Sequence, residues 1–268
     1  MVVTAVRVPE PEIVMESADA VEAFHRAGET AGALYPIYHL NATQLSRRLP
    51  EGARVLDAFC GSGRFLRHLL LGRPDLEGVG IDLSERMLSI ASASLTEAGL
   101  ESRVVLLHGD AREAAAVVTE PVAVVCSLSA LHHCPTSADL IAVLRSMYEI
   151  RKRDGAGVWL FDLVRPDEKM IRHIPRGYEL ASGRPLERAF KADWETSLRA
   201  GWTVEEFSLA AVEAGLDLEA RSGDYSQLHI AEPAGRLPGA PWRGPAPEEA
   251  DRKRVERLAE ALGMTDEA

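Results

Sequence analysis

Val55-Leu56-Asp57-Ala58-Phe59-Cys60-Gly61-Ser62-Gly63 reads as a short apolar strand ending in a glycine loop, behind which Gly63-Arg64-Phe65-Leu66-Arg67-His68-Leu69-Leu70 opens a helix. Glycines at such a junction let the backbone approach a ligand closely and leave the unpaired N–H groups of the first helical turn pointing at it. A GxG pair also serves ordinary tight turns, so its surroundings must discriminate. Asp82 closes a second strand, Gly78-Val79-Gly80-Ile81-Asp82, 19 positions after Gly63. Rossmann-type sites place there the carboxylate that accepts from ribose hydroxyls. A third acid, Asp110, follows the strand Val104-Val105-Leu106-Leu107-His108. Carboxylates at the C-terminal ends of three successive strands converge on the crevice where open parallel sheets bind ligands.

Outward from this core the alternation continues. A helix spans about Glu85 to Ala98, closed by Gly99; a nearly all-apolar strand covers Val122–Ser127; a helix of about Ser137 to Arg151 leads into the strand Gly157–Asp162. Strands apolar on both faces and joined by helical crossovers predict an α/β fold, doubly wound around a mostly parallel, seven-stranded sheet. The last two strands, about Asp217 to Arg221 and Tyr225 to Ala231, are expected to form an antiparallel edge hairpin around Ser222-Gly223-Asp224.

Residues 1–50 read as an N-terminal helical cap, with helix from about Ile13 to Leu49, Ser17 as a candidate N-cap, and an interruption near Gly28 to Pro36. Residues 51–232 form the expected Rossmann-like domain. Within it Arg165 to Pro185 reads as irregular, Leu186 to Arg199 as helix, and Thr203 to Glu206 as a capping box opening a helix that Gly215 ends. Residues 233–268 combine a Pro- and Gly-rich linker, Pro233 to Pro247, with a polar helix of about Glu248 to Leu262.

Composition narrows the function. With 41 acidic against 30 basic residues the formal charge is −11, which argues against a nucleic-acid partner held by phosphate neutralisation. Arg151-Lys152-Arg153 reads as the cation-rich last turn of a helix. Cys60, Cys126 and Cys134 show neither a paired framework nor metal-ligand spacing, so no disulfide is expected and the compartment reads as cytoplasmic. No apolar run is long enough to span a membrane, and no basic, apolar leader opens the sequence.

The run from Asp57 to Gly63, with Asp82 and Asp110, resembles the first motifs of the class I S-adenosylmethionine-dependent methyltransferases. The resemblance is close over Arg54–Asp162 and looser through the helix ending at Gly215 and the terminal hairpin. It implies S-adenosyl-L-methionine as cofactor. In that reading Asp57, Gly61, Ser62 and Gly63 hold its methionine portion and Asp82 its ribose; Leu83 and Met87 flank the adenine. Asp110 and the Ala111 backbone contact the ring, and Ser127 lines the sulfonium. Leu66 stands where a dinucleotide fingerprint needs its third glycine, which disfavours a pyrophosphate ligand. Cys60 reads as a small buried filler.

For the acceptor, His132 and His133 follow the fourth strand and are candidates for a base or a hydrogen-bond partner, with a purely structural duty as the alternative. Tyr35 and Tyr38 in the cap are candidates for acceptor contact, or for one packed helical face. Arg165 could clamp a carboxylate and Asp162 an amine, or either could cap its loop. His173, Tyr178, Arg199, Tyr225 and His229 carry weaker signals. No metal site is expected: Asp162 and Asp167 match the magnesium site of catechol-type enzymes poorly, and the histidines with Cys134 offer too few ligands for zinc.

These residues point to methylation of a small molecule or peptide at oxygen, nitrogen or carbon, with release of S-adenosylhomocysteine, in a chain able to act as a homodimer. The alternatives are an RNA- or protein-modifying methyltransferase, a cofactor-binding protein without transfer activity, and a nicotinamide-dependent dehydrogenase.

Overall fold

The computed structural model describes residues 4–12, 15, 17–223, 225–235 and 239–265. Seven strands form one sheet in the order β3-β2-β1-β4-β5-β7-β6. They are β1 (Arg54–Asp57), β2 (Glu77–Asp82), β3 (Val104–His108), β4 (Val124–Leu128), β5 (Gly157–Leu163), β6 (Glu219–Gly223) and β7 (Ser226–Ala231). The first five pair in parallel, and β7 joins β5 antiparallel with β6 outside it. The turn expected at Ser222-Gly223-Asp224 includes position 224, outside the described residues.

β4 is buried at every position and β1 at its last three, as strands covered on both faces must be. One covering layer contains α1 (Ala18–Ala27), α2 (Tyr35–Ser46), α3 (Arg64–Gly72) and α4 (Glu85–Glu97). The other is built on α5 (Ala114–Val117), α6 (Ser137–Asp154) and α9 (Val204–Ala214). Each side has its own core: Leu66, Leu69, Trp159 and Phe161 belong to one, Leu56, Val125, Leu144 and Phe207 to the other. Strand order reverses at β1, which lies between β2 and β4, so the binding crevice opens at the C-terminal ends of β1 and β4.

Local chemistry ends the helices where the sequence indicates. Thr136 and Asp139 form a capping box on α6, and Thr203 and Glu206 one on α9. Arg151, in the last turn of α6, donates to the carbonyls of Ala156 and Glu232. Gly80 is in mid-strand because Cys60 lies over it: a Cβ there would come within 2.7 Å of the Cys60 sulfur.

Two segments differ from expectation. Residues 165–185 are not irregular throughout, because α7 (Glu168–Ser182) runs through most of them. Asp167 caps it by accepting from the Met170 N–H, and Ile171 and Pro175 turn inward. Pro175 removes one helical donor, but burial of that face outweighs the loss. At the N-terminus helix is confined to α1 and α2; Ser17 occupies the N-cap position without a side-chain cap hydrogen bond, and Ile13 lies outside the described residues.

α8 (Arg188–Ala200) follows α7, and α10 (Glu249–Ala261) closes the chain against α2. Asp251 of α10 is fully buried, accepting from Arg184, Arg254 and the Ala31 N–H. Ahead of α10 the tail presses Trp242 onto Gly72, beside the rings of His39 and His68. Among the described residues no helix is long and apolar enough to cross a membrane.

Candidate functional site

Two adjoining cavities occupy the C-terminal edge of the sheet. The first, of about 150 Å³, is lined by Asp57, Gly61, Ser62, Asp82, Leu83, Met87, Asp110 and Ala111, which places eight residues expected around the cofactor on one surface. Parallel register puts Asp57 level with Gly80 on one side and Cys126 on the other, at the end of the central strand.

Asp57 is 2 % exposed, and its Oδ1 has no hydrogen-bond partner. Burial pushes its pKa up to about 7, with the Phe59 backbone N–H pulling against this and the Asp82 charge adding to it. Asp82 fastens the glycine loop to β2: Oδ2 accepts from the Gly61 N–H at 2.7 Å and Oδ1 from the Ser84 N–H at 2.9 Å. Burial raises its pKa too, against those two N–H groups. A carboxylate offers about four lone-pair directions, so both hydroxyls of a ribose can still be accommodated.

The hydroxyls of Ser62 and Ser129 are buried without partners at the same cavity. Ser129 is also held at a φ of 54°, a left-handed conformation rare outside glycine. Buried polar atoms without partners are unfavourable unless a ligand satisfies them. Orphaned oxygens at one end and the apolar Leu83, Met87 and Ala111 at the other suit an amino acid joined to a flat nucleoside, as S-adenosylmethionine is.

Two expected cofactor contacts lie outside this cavity, and a third lines it but is already engaged. Gly63 does not line the cavity; at a φ of 71° it caps α3, and a Cβ there would lie 2.9 Å from the Ala91 Cβ. Ser127 is fully buried behind the cavity, its hydroxyl also unpartnered. Asp110 accepts from the backbone and guanidinium of Arg112, so a ring amino group would have to share it.

The second cavity, of about 270 Å³, has apolar walls that include Phe24, Phe190 and Trp194, and its polar lining includes His132, His133, Asp193 and Ser197 together with Arg254 and Arg257. Phe24, Ser129 and His133 line both cavities, so a molecule in the second reaches the first past the His133 ring.

The two histidines have separate carboxylate partners. His132 Nδ1 lies 2.6 Å from Asp162 Oδ1, and its own N–H donates to Asp162 Oδ2 at 3.1 Å. Burial would push the His132 imidazole down, but Asp162 overcomes this and raises its pKa to about 9. His133 Nδ1 lies 2.5 Å from Glu10 Oε2, and Ser197 donates to Glu10 Oε1 at 2.6 Å. Against the effect of burial, His133 foremost among these neighbours holds Glu10 down at about 2. Glu10, His132 and His133 bring one potential ligand atom each to within 4.8 Å of one another, a spacing a divalent ion could use.

Glu10 arrives on an extended arm held by Arg7. That guanidinium donates to the carbonyls of His132, Cys134, Pro135 and Ala200 and stacks 3.5 Å above the Trp202 ring.

Of the expected acceptor contacts, Tyr38 lines the first cavity, whereas Tyr35 packs against the rings of His39 and His68. Asp162 is engaged by the His132 ring and backbone and by the Leu163 N–H. Arg165 is buried away from both cavities, donating to Ala5, Gly201 and Glu206. Tyr178 does reach the second cavity. Sequence reasoning passed over Glu10, Phe24, Asp193 and Trp194. Glu10 stands between two prolines, with no spacing that ties it to the histidines, and Asp193 and Trp194 lie on one amphipathic helix; only the charged-among-aromatic pattern of α8 hinted at them.

A methyltransferase-domain family model matches residues 55–155. A dTDP-3-amino-3,6-dideoxy-alpha-D-glucopyranose N,N-dimethyltransferase of Streptomyces fradiae is 32% identical over 158 residues, 56% of this chain and 57% of that protein. A ubiquinone biosynthesis O-methyltransferase of Aromatoleum aromaticum is 30% identical over 125 residues, 45% of this chain and 52% of that one. The chain spans about half the length of the curated relatives it matches. An O-methyltransferase family protein from Burkholderia thailandensis shares the fold, with a TM-score of 0.60 at 18% identity over 81% of this chain and 60% of that one.

Proposed function

Because the chain carries a class I S-adenosylmethionine-dependent methyltransferase domain, we propose that it is an enzyme that methylates a small molecule seated in the second cavity. The observation that carries this reading is the contact between the two cavities through Phe24, Ser129 and His133. In-line displacement needs donor and acceptor in close approach with water excluded, and adjoining cavities meet that need.

S-adenosylmethionine, when bound, supplies a methyl group on a positively charged sulfur. Asp57 offers a carboxylate to the ammonium of its amino-acid end, and Asp82 offers oxygens to its ribose hydroxyls. His133 stands where the acceptor must pass. With Nδ1 facing Glu10, its other nitrogen is the candidate to accept the acceptor's proton, and Glu10 is a positioning residue for that ring. α10 closes the acceptor side through Leu258 and keeps the acceptor small. The size and apolar walls of this cavity favour a small molecule over a peptide, an RNA or a protein.

Calorimetry with S-adenosylhomocysteine and with NAD, followed by transfer of radiolabelled methyl from S-adenosylmethionine into a small-metabolite extract, tests the proposal. S-adenosylhomocysteine binding without NAD binding, together with label in a small product, is expected. Binding without transfer to any acceptor would make the protein a cofactor binder, and NAD binding in its place would make it a dehydrogenase. His133→Gln should lower turnover at least about tenfold at unchanged S-adenosylhomocysteine affinity.

A further inference from the structure

Of three carboxylates near the second cavity, two are matched by its histidines. Asp162 faces His132, and Glu10 faces His133 and the Ser197 hydroxyl. Asp193, on α8, lines the same cavity yet makes no hydrogen bond or ion pair with any described residue. Burial and the neighbouring Glu10 charge raise its pKa to about 6, with His133 and His132 pulling it back, so at neutral pH it remains mostly ionised.

No nearby cation is committed to it. The Arg254 guanidinium, at 4.5 Å over the Tyr178 ring, donates to Asp251 and to the carbonyls of Gly32 and Ala33. Arg257 belongs to α10, is exposed, and is screened by solvent. A half-buried carboxylate without a side-chain partner favours a ligand that supplies the countercharge. The rings beside it, Tyr178, Phe190 and Trp194, present electron-rich faces that favour a cation on an apolar frame.

We propose that the acceptor is a primary or secondary amine on a ring-bearing apolar body, which Asp193 receives as its ammonium. This assignment rests on the acceptor-cavity reading above and names its substrate class. The Asp193 carboxylate takes a proton from the ammonium, leaving a neutral amine. The nitrogen lone pair then forms the new N–C bond while the S–C bond breaks, and that bonding pair stays on the sulfur as a neutral thioether. The methylated nitrogen carries the positive charge until it loses one proton to His133 or water.

Matched probes test it on the full chain saturated with S-adenosylhomocysteine: tryptamine against tryptophol, and phenethylamine against 2-phenylethanol, each titrated by calorimetry. The amine of each pair should bind about tenfold or more tightly than its alcohol. Asp193→Asn should reduce that preference to about twofold or less while S-adenosylhomocysteine affinity, which also reports folding, stays unchanged. Equal binding within the pairs, no binding of the amines, or a preference surviving in Asp193→Asn overturns the proposal. So does amine affinity that appears only with added zinc and vanishes with a chelator, because the surplus charge would then belong to a metal. Failure to bind S-adenosylhomocysteine at all would instead sink the methyltransferase reading.

Discussion

His132 Nδ1 and Asp162 Oδ1 lie 2.6 Å apart with both side chains almost wholly buried, so the histidine after β4 is locked to the end of β5. Removing one charge of such a pair strands the other in a poorly solvated place. Asp162→Asn is therefore expected to destabilise the fold by about 3–5 kcal/mol in urea denaturation. The His132 pKa is raised from 6.5 to about 9 on folding. The pair's contribution is thus fully present below about pH 6.5 and lost as pH rises through about 9. Denaturation followed from about pH 6 to about pH 10 should show this loss in the native protein, and a much flatter profile in Asp162→Asn.

Asp57 has the opposite sign. Its pKa is raised from 3.8 to about 7, so its ionisation opposes folding increasingly as pH climbs from about 4 through 7. A ligand ammonium favours the ionised form. S-adenosylhomocysteine affinity should increase as pH rises through about 7, with up to about one proton released on binding below that. Calorimetry in two buffers of different ionisation enthalpy measures this release, and Asp57→Asn should abolish it.

Asp82 holds the glycine loop through the Gly61 N–H and is placed for the ribose. Asp82→Ala should weaken S-adenosylhomocysteine binding by about 1–3 kcal/mol, the scale for leaving buried polar groups unmatched. Unchanged affinity by calorimetry would remove Asp82 from the cofactor site.

Arg7 holds the arm that carries Glu10 to His133. Arg7→Ala should lower turnover by more than it weakens S-adenosylhomocysteine binding, because Arg7 reaches the first cavity only through the backbone carbonyls of Cys134 and Pro135. A parallel loss of cofactor affinity would show that the arm organises the whole crevice instead.

The alternation of apolar strands and amphipathic helices is enough to read the parallel sheet, and Asp57, Asp82 and Asp110 stand out because the first two end strands and the third follows one by two residues. Such signals are local: a period, a glycine and a carboxylate at set spacings carry them. The charged residues of 165–185 hide a helix, because local composition competes with burial, and burial of Ile171 and Pro175 favours α7.

The residues around the second cavity are brought together by tertiary structure alone. Asp162 and Arg165 have the right chemistry for a substrate, but packing turns one to His132 and the other to Glu206, while Asp193 lines the cavity and Glu10 reaches His133, both from elements with no sequence tie to β4. Sequence by itself determined the kind of sheet and the edge at which ligands bind, because backbone direction follows from local pattern. Which charges meet across that edge depends on contacts between positions as distant as Glu10 and Ser197, and only the folded chain brings those together.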